Sequence, residues 1–375
     1  MTSVRTVLVI GGGTAGNGLT VLLRRAGIDV DLVEAKTDWN VSGSGITLQG
    51  NALRVLREIG VWEQIREAGF GFGSLGITAP DGTLLHVARD VRTGGDDLPA
   101  TLGMQRPQLQ HILIDAVKAS GAKVRLGTTV ESLSSDDDGV WVRFDDGTGG
   151  RYDLVVGADG ISSTTRAMIG ITERPEPTGM AIWRTPAPRP ADVERTNLTY
   201  GGPCYIAGYC PTGPDTVYAY LVEPKRDRAT IDPATYADEM RRLAAGYGGH
   251  WAEIAASITD PKQVNYTWFD RHLVEGPWHR GRVVLVGDAA HACPPTLAQG
   301  AAMSLEDAAV LAELLITREK FDEQLLLDYH ARRLPRVRLV VESSCQLGQW
   351  LMDGVRDADV PGLMGRTMSV LKELP

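Results

Sequence analysis

Cysteines, basic residues and long apolar runs are all scarce in this sequence. Four cysteines lie scattered from Cys204 to Cys345 without a CxxC pair, which excludes a disulfide scaffold and leads us to expect a reducing compartment, the cytoplasm. No apolar run approaches the ~20 residues of a membrane-spanning helix, and the N-terminus lacks the pattern of a signal peptide, so we expect no membrane partner. The spacing of histidine, cysteine and carboxylate residues suits no metal ion, and we expect none.

Acidic residues outnumber basic ones. The chain carries 47 Asp and Glu against 38 Lys and Arg, a formal net charge of −9 at pH 7. This balance argues against nucleic acid or an anionic membrane as a partner. The hydrophobic share of 43% is typical of a globular protein, and 375 residues exceed what one hydrophobic core usually supports. We therefore expect two domains that share an interface.

A glycine-rich turn follows the first apolar segment. The pattern GxGxxG begins at Gly11, between a strand predicted over residues 7–10 and a helix predicted over 15–26, and a second strand is predicted over 28–33. This order predicts a crossover between parallel strands. The turn lies where dinucleotide-binding proteins hold a pyrophosphate, although a glycine-rich turn without a ligand is the alternative.

Each glycine of this turn has its own expected role. Gly11 permits the tight turn, Gly13 lets the backbone approach a pyrophosphate, and Gly16 lets the helix pack closely on the strand. The helix N-terminus adds unpaired N–H groups and a partial positive charge. Glu34 ends the second strand, where a carboxylate accepts hydrogen bonds from an adenosine ribose and disfavours the extra phosphate of NADP. These residues predict FAD or NAD at this site.

Two further strand-to-helix turns carry a carboxylate. Asp159 and Gly160 follow one apolar strand, and Gly287 and Asp288 follow another, ahead of a helix predicted over 299–316. A carboxylate at a strand end can bind a ribose or ribityl hydroxyl, and a helix N-terminus beyond it can stabilise the negative charge of a reduced flavin. The two turns therefore favour FAD over NAD.

The middle of the chain differs in character from both ends. After Pro175 the sequence is rich in Pro, Tyr and Gly, and strands predicted over 200–209 and 216–222 look antiparallel. We predict a smaller substrate-binding domain here, an antiparallel sheet over residues 176–270.

This domain is expected to interrupt a Rossmann-like FAD-binding domain made of residues 1–175 and 271–375. The predicted fold class is α/β, with a parallel sheet, a β-meander and C-terminal helices. The elements predicted in the FAD-binding domain include a hairpin over 75–79 and 84–87, the meander over 129–133, 140–144 and 152–156, and a helix over 321–352.

The three turns, in this order, resemble those of the single-component flavoprotein aromatic hydroxylases, the p-hydroxybenzoate hydroxylase-like and salicylate hydroxylase-like group. The resemblance covers most of the chain. It implies FAD, NADH or NADPH as a transient co-substrate, and O2, with hydroxylation of a small phenolic or N-heteroaromatic compound through a flavin C4a-hydroperoxide. The FAD site that the resemblance implies comprises Gly11, Gly13, Thr14, Ala15, Gly16, Glu34, Ala35, Gly45, Arg106, Val130, Asp159, Gly287, Asp288, Ala298, Gln299, Gly300, Ala301 and Ala302.

The chain departs from the family pattern at several places, of which two concern the binding of the flavin and of the nicotinamide cofactor. Ala298 stands where the family often has glycine, at a position close to the flavin. The stretch over residues 36–42 lacks the arginine that often helps to bind the nicotinamide cofactor, so the choice between NADH and NADPH stays open.

The substrate-facing residues are expected on the sheet of the second domain. Because alternate residues of a strand share a face, Tyr205 and Tyr209 would share one, as would Tyr218 and Tyr220, and not all four can face the substrate. A packed aromatic is the alternative for each tyrosine, and a surface ion pair is the alternative for the arginine. No catalytic residue is assigned, and His291 is interpreted as structural. The candidate substrate residues are Arg184, Tyr205, Tyr209, Cys210, Tyr218, Tyr220 and Pro295.

Other functions are compatible with the same turns. A flavin monooxygenase acting on a larger polycyclic or natural-product substrate is one, and an FAD-dependent reductase that inserts no oxygen is another. A non-catalytic FAD-binding sensor is a third. The sequence leaves the assembly as a monomer or a homodimer.

Overall fold

The computed structural model describes residues 2–39 and 43–375, and the strands of this part form four sheets. The strands are β1 Thr6–Ile10, β2 Asp29–Glu34, β3 Gly45–Gln49, β4 Phe70–Phe72, β5 Ser74–Thr78, β6 Leu84–Arg89, β7 Thr101–Gln105, β8 Lys123–Leu126, β9 Val130–Ser135, β10 Val140–Phe144, β11 Gly149–Tyr152, β12 Leu154–Gly157, β13 Glu176–Pro188, β14 Thr196–Tyr200, β15 Ile206–Pro211, β16 Thr216–Pro224, β17 Asn265–Leu273, β18 His279–Arg280, β19 Val283–Leu285 and β20 His291–Ala292.

Helices cover the faces of these sheets. None of the helices in the described part of the chain is both long and apolar enough to cross a membrane. The helices are α1 Thr14–Arg25, α2 Gly50–Ile59, α3 Trp62–Ala68, α4 Arg106–Ala119, α5 Thr164–Met168, α6 Tyr236–Ala244, α7 Trp251–Ser257, α8 Gly300–Thr317, α9 Glu323–Met352 and α10 Val360–Lys372.

The first sheet is the one that the glycine-rich turn predicts. Its strand order is β18-β19-β12-β1-β2-β8, and β1 pairs in parallel with both β2 and β12. Val7, Leu8 and Val9 of β1 are completely buried, because the sheet is covered on both faces. Three turns follow strands of this sheet: the first, which is the glycine-rich turn, follows β1, the second, with Asp159, follows β12, and the third, with Gly287, follows β19. Because these strands are parallel, the three turns meet at the same edge of the sheet. The α/β fold class is confirmed.

One predicted strand of the meander is wrong in its extent. The segment over 152–156 is not one strand: β11 closes the antiparallel meander against β10, whereas β12 joins the parallel sheet beside β1. Asp153 lies between the two strands, and its carboxylate accepts hydrogen bonds from the backbone N–H groups of Arg5 (2.7 Å) and Thr6 (2.9 Å). These bonds fix the place where the chain passes from one sheet to the other.

The second large sheet has eight strands in the order β20-β17-β13-β16-β15-β14-β5-β6. Its antiparallel part lies in the segment predicted to bind substrate, but the early hairpin of β5 and β6 also belongs to it, because β5 pairs in parallel with β14. Helices α6 and α7 cover one face through buried residues such as Met240 and Trp251. The opposite face lines a cavity. The domain boundaries at 175 and 270 stay a prediction.

The strand predicted over 200–209 is also wrong. The chain turns back after Tyr200, so that β14 and β15 are antiparallel neighbours. Gly201 and Gly202 in the turn have φ angles of +85° and +80°, which side chains with a Cβ rarely adopt. Tyr205 therefore precedes β15 rather than lying within one long strand.

Candidate cofactor and substrate site

Of the three glycines in the GxGxxG pattern of the first turn, one borders open space and two are packed against the backbone. A Cβ at Gly11 would overlap the carbonyl oxygen of Ala158, and a Cβ at Gly16 would overlap the carbonyl oxygen of Gly11. A Cβ at Gly13 would meet nothing within 4 Å. The first two glycines are thus required by the protein's own packing, whereas Gly13 borders space at the start of α1. This arrangement fits a pyrophosphate held by a helix N-terminus.

Glu34 ends β2 as expected and holds the turn in place. Its Oε2 accepts a hydrogen bond from the backbone N–H of Gly12 (2.8 Å), and its Oε1 accepts one from the N–H of Lys36 (2.9 Å). Each carboxylate oxygen can accept a further bond, so a ribose hydroxyl fits beside these contacts. Residues 40–42, part of the stretch that lacks the family arginine, lie outside the described residues.

Three side chains that the sequence analysis missed converge on the carbonyl oxygen of Gly12. Asn17 Nδ2 and Trp39 Nε1 each donate a hydrogen bond to it at 2.9 Å, and Gln110 Nε2 donates one at 2.6 Å. All three side chains are buried, and they come from α1, from the loop after β2 and from α4. They therefore fix the orientation of the turn from three directions.

The second turn is built around Asp159, whose carboxylate binds the residues at the start of α5, next to the N-cap residue Ser163. Its carboxylate accepts hydrogen bonds from Ser163 Oγ (2.5 Å), and from both the backbone N–H and the Oγ1 of Thr165 (2.9 Å each). Arg166 on α5 donates to the carbonyl oxygen of Ala289 at 2.9 Å. The second turn is therefore bonded to the third, while the contact of Asp159 with FAD stays a prediction.

The third turn rests on Asp307 of α8. One carboxylate oxygen accepts a hydrogen bond from the backbone N–H of Gly287 (2.8 Å) and lies 2.6 Å from His291 Nε2, and the other accepts one from Arg333 Nε (2.7 Å). Although burial alone would raise the pKa of Asp307, the charges of His291 and Arg333 hold it below its usual value. His291 therefore helps to hold the loop of the third turn, and its assignment as a structural residue stays a prediction.

The same buried cluster extends beneath the start of α8. Glu306 accepts hydrogen bonds from Arg333 Nη1 (2.8 Å), Arg336 Nε (2.7 Å) and Asn51 Nδ2 (3.1 Å). Asn51 also donates to Oε1 of Gln299 at 3.0 Å. Because Glu306 and Arg333 are completely buried, each charge depends on its partners. The cluster fixes the loop before α8, where the resemblance places flavin contacts.

Asp288 projects from the third turn into the groove. Its side chain is accessible to water through the groove. Many protein atoms nevertheless surround the carboxyl group, and their displacement of water raises its pKa. The positive charges of His291 and Arg106 act against that rise. Such a carboxylate can accept a hydrogen bond from a ribityl or ribose hydroxyl.

Ala298 has an unusual backbone conformation. Its φ of +52° lies in the left-handed region, and Trp39 is the other non-glycine residue with a positive φ in the described part of the chain. Glycine adopts this conformation without strain, which explains why the family often has glycine here. Gln299 and Gly300 follow it and begin α8.

A cavity of about 260 Å³ lies between the third turn and the open face of the eight-stranded sheet. Four of the predicted substrate residues line it: Arg184, Tyr218, Tyr220 and Pro295. The residues around the cavity are Gly45, Ile46, Thr47, Arg106, Met180, Ile182, Arg184, Leu198, Ile206, Tyr218, Tyr220, Val222, Phe269, Cys293, Pro295, Thr296, Ala298, Gly300 and Ala301.

Tyr205, Tyr209 and Cys210 do not line this cavity. Tyr209 points to the other face of the sheet, where its ring packs edge-on against that of Trp251 in α7. Tyr205 lies in the turn before β15 and packs with the cluster on the cavity side, so the expectation that it shares a face with Tyr209 is wrong. Cys210 Sγ lies behind the cavity wall, 3.7 Å from Thr47 Oγ1.

Tyr218 and Tyr220 share a face, as predicted, and their ring centroids are 4.9 Å apart. Burial raises the pKa of both phenols, that of Tyr220 well above its usual value, so both are neutral hydrogen-bonding groups at pH 7. Gly208 on β15 makes room for them, because a Cβ there would overlap the ring of Tyr220.

Arg184 and Arg106 bring two positive charges to the cavity. Arg184 Nη2 donates to Thr267 Oγ1 at 2.6 Å, while its buried Nε has no hydrogen-bond partner among the described residues. No ion pair involving either arginine occurs within residues 2–39 and 43–375, so the alternative of a surface ion pair for Arg184 is not supported. Burial and the charge of Arg184 lower the pKa of Arg106.

Two other features lie apart from these residues. A surface groove of about 650 Å³ runs beside Arg5, Asp138, Arg282 and Phe321, and none of the predicted site residues lines it. In the described part of the chain, no group of three or more His, Cys, Asp or Glu side chains could hold a metal ion.

Val130 and the remaining predicted cofactor residues lie in the elements around the groove. Val130 begins β9 and is buried, and Ala35 follows β2 directly. Thr14 and Ala15 begin α1, and Ala302 lies in the first turn of α8.

Comparison with known proteins identifies the family. The model of the FAD binding domain family matches residues 5–344. The 2-heptyl-3-hydroxy-4(1H)-quinolone synthase of Pseudomonas aeruginosa is 32% identical over 358 residues, which cover 92% of this chain and 90% of that protein. The 6-hydroxynicotinate 3-monooxygenase of Bordetella bronchiseptica is 27% identical over 357 residues, 89% of this chain and 90% of that protein.

A solved structure supports the same fold. The crystal structure of Klebsiella pneumoniae HpxO, complexed with FAD and uric acid, matches with a TM-score of 0.84 at 23% identity, over 98% of this chain and 92% of that one. Because the family model spans most of the chain and a relative 32% identical covers 92% of it, the chain belongs to the FAD binding domain family and is an FAD-dependent monooxygenase of the aromatic hydroxylase class.

Proposed function

We propose that the protein uses FAD, NADH or NADPH, and O2 to hydroxylate a small aromatic compound held in the 260 Å³ cavity. The observation that carries this proposal is the position of the cavity. It lies between the loop of the third turn and a sheet face that presents an arginine and two neutral tyrosines. When bound, FAD supplies the redox chemistry, accepting electrons from the nicotinamide and passing them to O2.

The protein's own groups would hold the cofactor along the groove. The N–H groups around Gly13 at the start of α1 would bind the pyrophosphate, and Glu34 would bind the ribose. Asp288 would accept a hydrogen bond from the ribityl chain. The N-terminus of α8, at Gly300, would stabilise negative charge on the reduced ring.

The polar residues of the cavity would orient the substrate and favour its ionised form. The positive charge of Arg184 lowers the pKa of a phenol or acid placed beside it. Tyr218 and Tyr220 stay neutral because their phenol pKa values are raised, so they can donate hydrogen bonds to a substrate oxygen. The apolar side chains around them exclude water from the reacting groups.

The size of the cavity favours a compact substrate. A volume of about 260 Å³ is below the range of roughly 300–1,000 Å³ typical of pockets for drug-sized ligands, which argues against the polycyclic alternative. The names of the relatives specify a hydroxynicotinate and an alkylquinolone, both small aromatic compounds. We also infer a cytoplasmic location from the four free cysteines, and a monomer or homodimer.

The test is a substrate panel with the flavin-loaded protein. NADH and NADPH oxidation is followed with hydroxybenzoates, phenols and hydroxypyridines, in air and without O2, and products are identified by mass spectrometry. The proposal expects faster oxidation with some panel members and a product heavier by one oxygen atom. Reduction of a substrate that proceeds equally without O2 would support the reductase alternative instead.

A further inference from the structure

The cavity has two chemically different ends along the same strands. Strand β13 lines it with Arg184, Ile182 and Met180, and β16 places Tyr220 beside Arg184 and Val222 beside Ile182. Four residues of extended chain span about 13 Å, at about 3.3 Å per residue. The lining therefore changes from polar to apolar over a length greater than one aromatic ring.

The polar end carries the positive charge of Arg184, which forms no ion pair with any described residue. Within the part of the chain that the structure describes, the buried Nε of Arg184 lacks a hydrogen-bond partner. Arg106 adds a second positive charge nearby, and Asp288 opposes that charge in part. A buried donor without a partner costs free energy, and a bound anion would remove that cost. This holds although the whole chain carries a net charge of −9.

The apolar end is a closed hydrophobic cluster. Met180, Ile182, Ile206, Val222 and Phe269 are each at most 8% exposed. The last turn of α9 packs against this cluster. A polar substituent placed there would lose its hydrogen bonds to water, whereas an apolar one would gain burial.

We propose that the substrate is an aromatic anion with an apolar substituent, its acidic oxygen at Arg184 and its substituent directed along β13 and β16 toward Met180 and Phe269. This rests on the proposed function for the identity of the site, but it concerns binding alone. An acidic oxygen means a carboxylate or a phenolate, which Arg184 recognises in the same way.

The test measures binding to the FAD-loaded protein without a reductant. The probes are benzoate, 4-ethylbenzoate, 4-butylbenzoate and the neutral 4-butylbenzamide, and the readouts are calorimetry and the flavin absorbance. Affinity is expected to rise by about fourfold per added methylene. The benzamide is expected to bind about tenfold or more weakly than the matching acid.

Two variants separate the two ends. Arg184→Met should weaken binding of every acid by about tenfold to a hundredfold and leave the gain per methylene unchanged. Ile206→Trp, which fills the apolar end, should remove the gain per methylene and leave benzoate binding unchanged. Val222→Ala, which enlarges that end, should retain or extend the gain. Arg242→Met, at an exposed position of α6 on the other side of the sheet, is the matched control and should change none of these values.

Several results would overturn the proposal. Affinity that is flat or falls with chain length in the unmodified protein is one, equal binding of amide and acid is another, and failure of all acids to bind is a third. A protein that binds the series as expected but hydroxylates no aromatic compound would contradict the proposed function and leave this inference standing.

Discussion

The cofactor side and the substrate side of the site differ in how far the protein satisfies its own charges. On the cofactor side, Glu34, Asp159 and Asp307 each accept at least two hydrogen bonds from protein groups. On the substrate side, no carboxylate of the described residues lies within 4 Å of the guanidinium group of Arg106 or Arg184, although Asp288 opposes the charge of Arg106 from farther away. The comparison shows that bonds within the protein hold the charged groups of the cofactor side in place. The positive charges of the substrate side are instead available to bind a ligand.

The largest expected effect concerns the buried cluster of the cofactor side. Arg333→Met leaves Glu306 and Asp307 buried with fewer partners, so the free energy of unfolding should fall by about 3–5 kcal/mol. Arg332→Met is the matched control, because its partner Glu313 is half exposed, and it should cost at most about 1 kcal/mol. Chemical denaturation measures both. Equal losses would mean that the cofactor side is not held by its buried charges.

A buried histidine between the cofactor side and the substrate side, His272, should make the free energy of unfolding depend on pH. His272 on β17 is 3% exposed, and burial, with the charges of Arg166 and His291, lowers its pKa to about 4. The unfolded chain binds the proton more readily, so stability should fall as the pH drops from about 6.5 toward 4 and level off below that.

Between about pH 6.5 and pH 4, the free energy of unfolding of His272→Gln should decrease by about 1–3 kcal/mol less than that of the unmodified protein. Chemical denaturation at a series of pH values measures the difference. His86→Gln, at an exposed position, is the control and should leave the profile unchanged. If stability depends on pH in the same way in His272→Gln and in the unmodified protein, a neutral His272 does not contribute to stability in this pH range.

The glycines of the first turn should separate folding from cofactor binding. Gly13→Ala adds a Cβ to open space, so the protein should keep its stability without FAD while its affinity for FAD falls by about tenfold or more. Gly16→Ala places a Cβ on the carbonyl oxygen of Gly11, so it should destabilise the fold itself. Thermal shifts with and without FAD distinguish the two. Unchanged affinity in Gly13→Ala would place the pyrophosphate elsewhere.

The smallest expected effect is at Ala298, where the two sides meet. Ala298→Gly relieves a positive φ but makes the unfolded chain more flexible, so the stability should stay level or rise by up to about 1 kcal/mol. Ala301→Gly, in the first turn of α8, should lower it by about 1 kcal/mol. A clear loss in Ala298→Gly would show that its methyl group contributes packing.

Local patterns made most of the cofactor side predictable. Each of its turns is a strand, a short loop and a helix in direct succession, so Gly11, Asp159 and Gly287 could be placed from their neighbours alone. Contacts between distant segments could not be placed in this way. Trp39 and Gln110 meet at the carbonyl oxygen of Gly12 only after folding, and nothing in their local sequence marks them.

The substrate side was predicted less well, because the face of the sheet on which a side chain lies depends on the exact position of the turn before its strand. The residues after Tyr200 look like a continuation of a strand, yet Gly201 and Gly202 reverse the chain, so Tyr205 and Tyr209 lie on different faces. Ile182 and Phe269 read as ordinary core residues in the sequence, because a cavity wall and a packed core use the same side chains.

The most direct test of the central claim follows the oxygen atom. The FAD-loaded protein is mixed with NADH or NADPH, a hydroxylated aromatic acid and isotopically labelled O2, and the product is analysed by mass spectrometry. The account predicts one labelled oxygen atom in each product molecule, with one nicotinamide oxidised for it. Nicotinamide oxidation that the aromatic acid does not stimulate, with no labelled product from any acid that binds, would contradict the account.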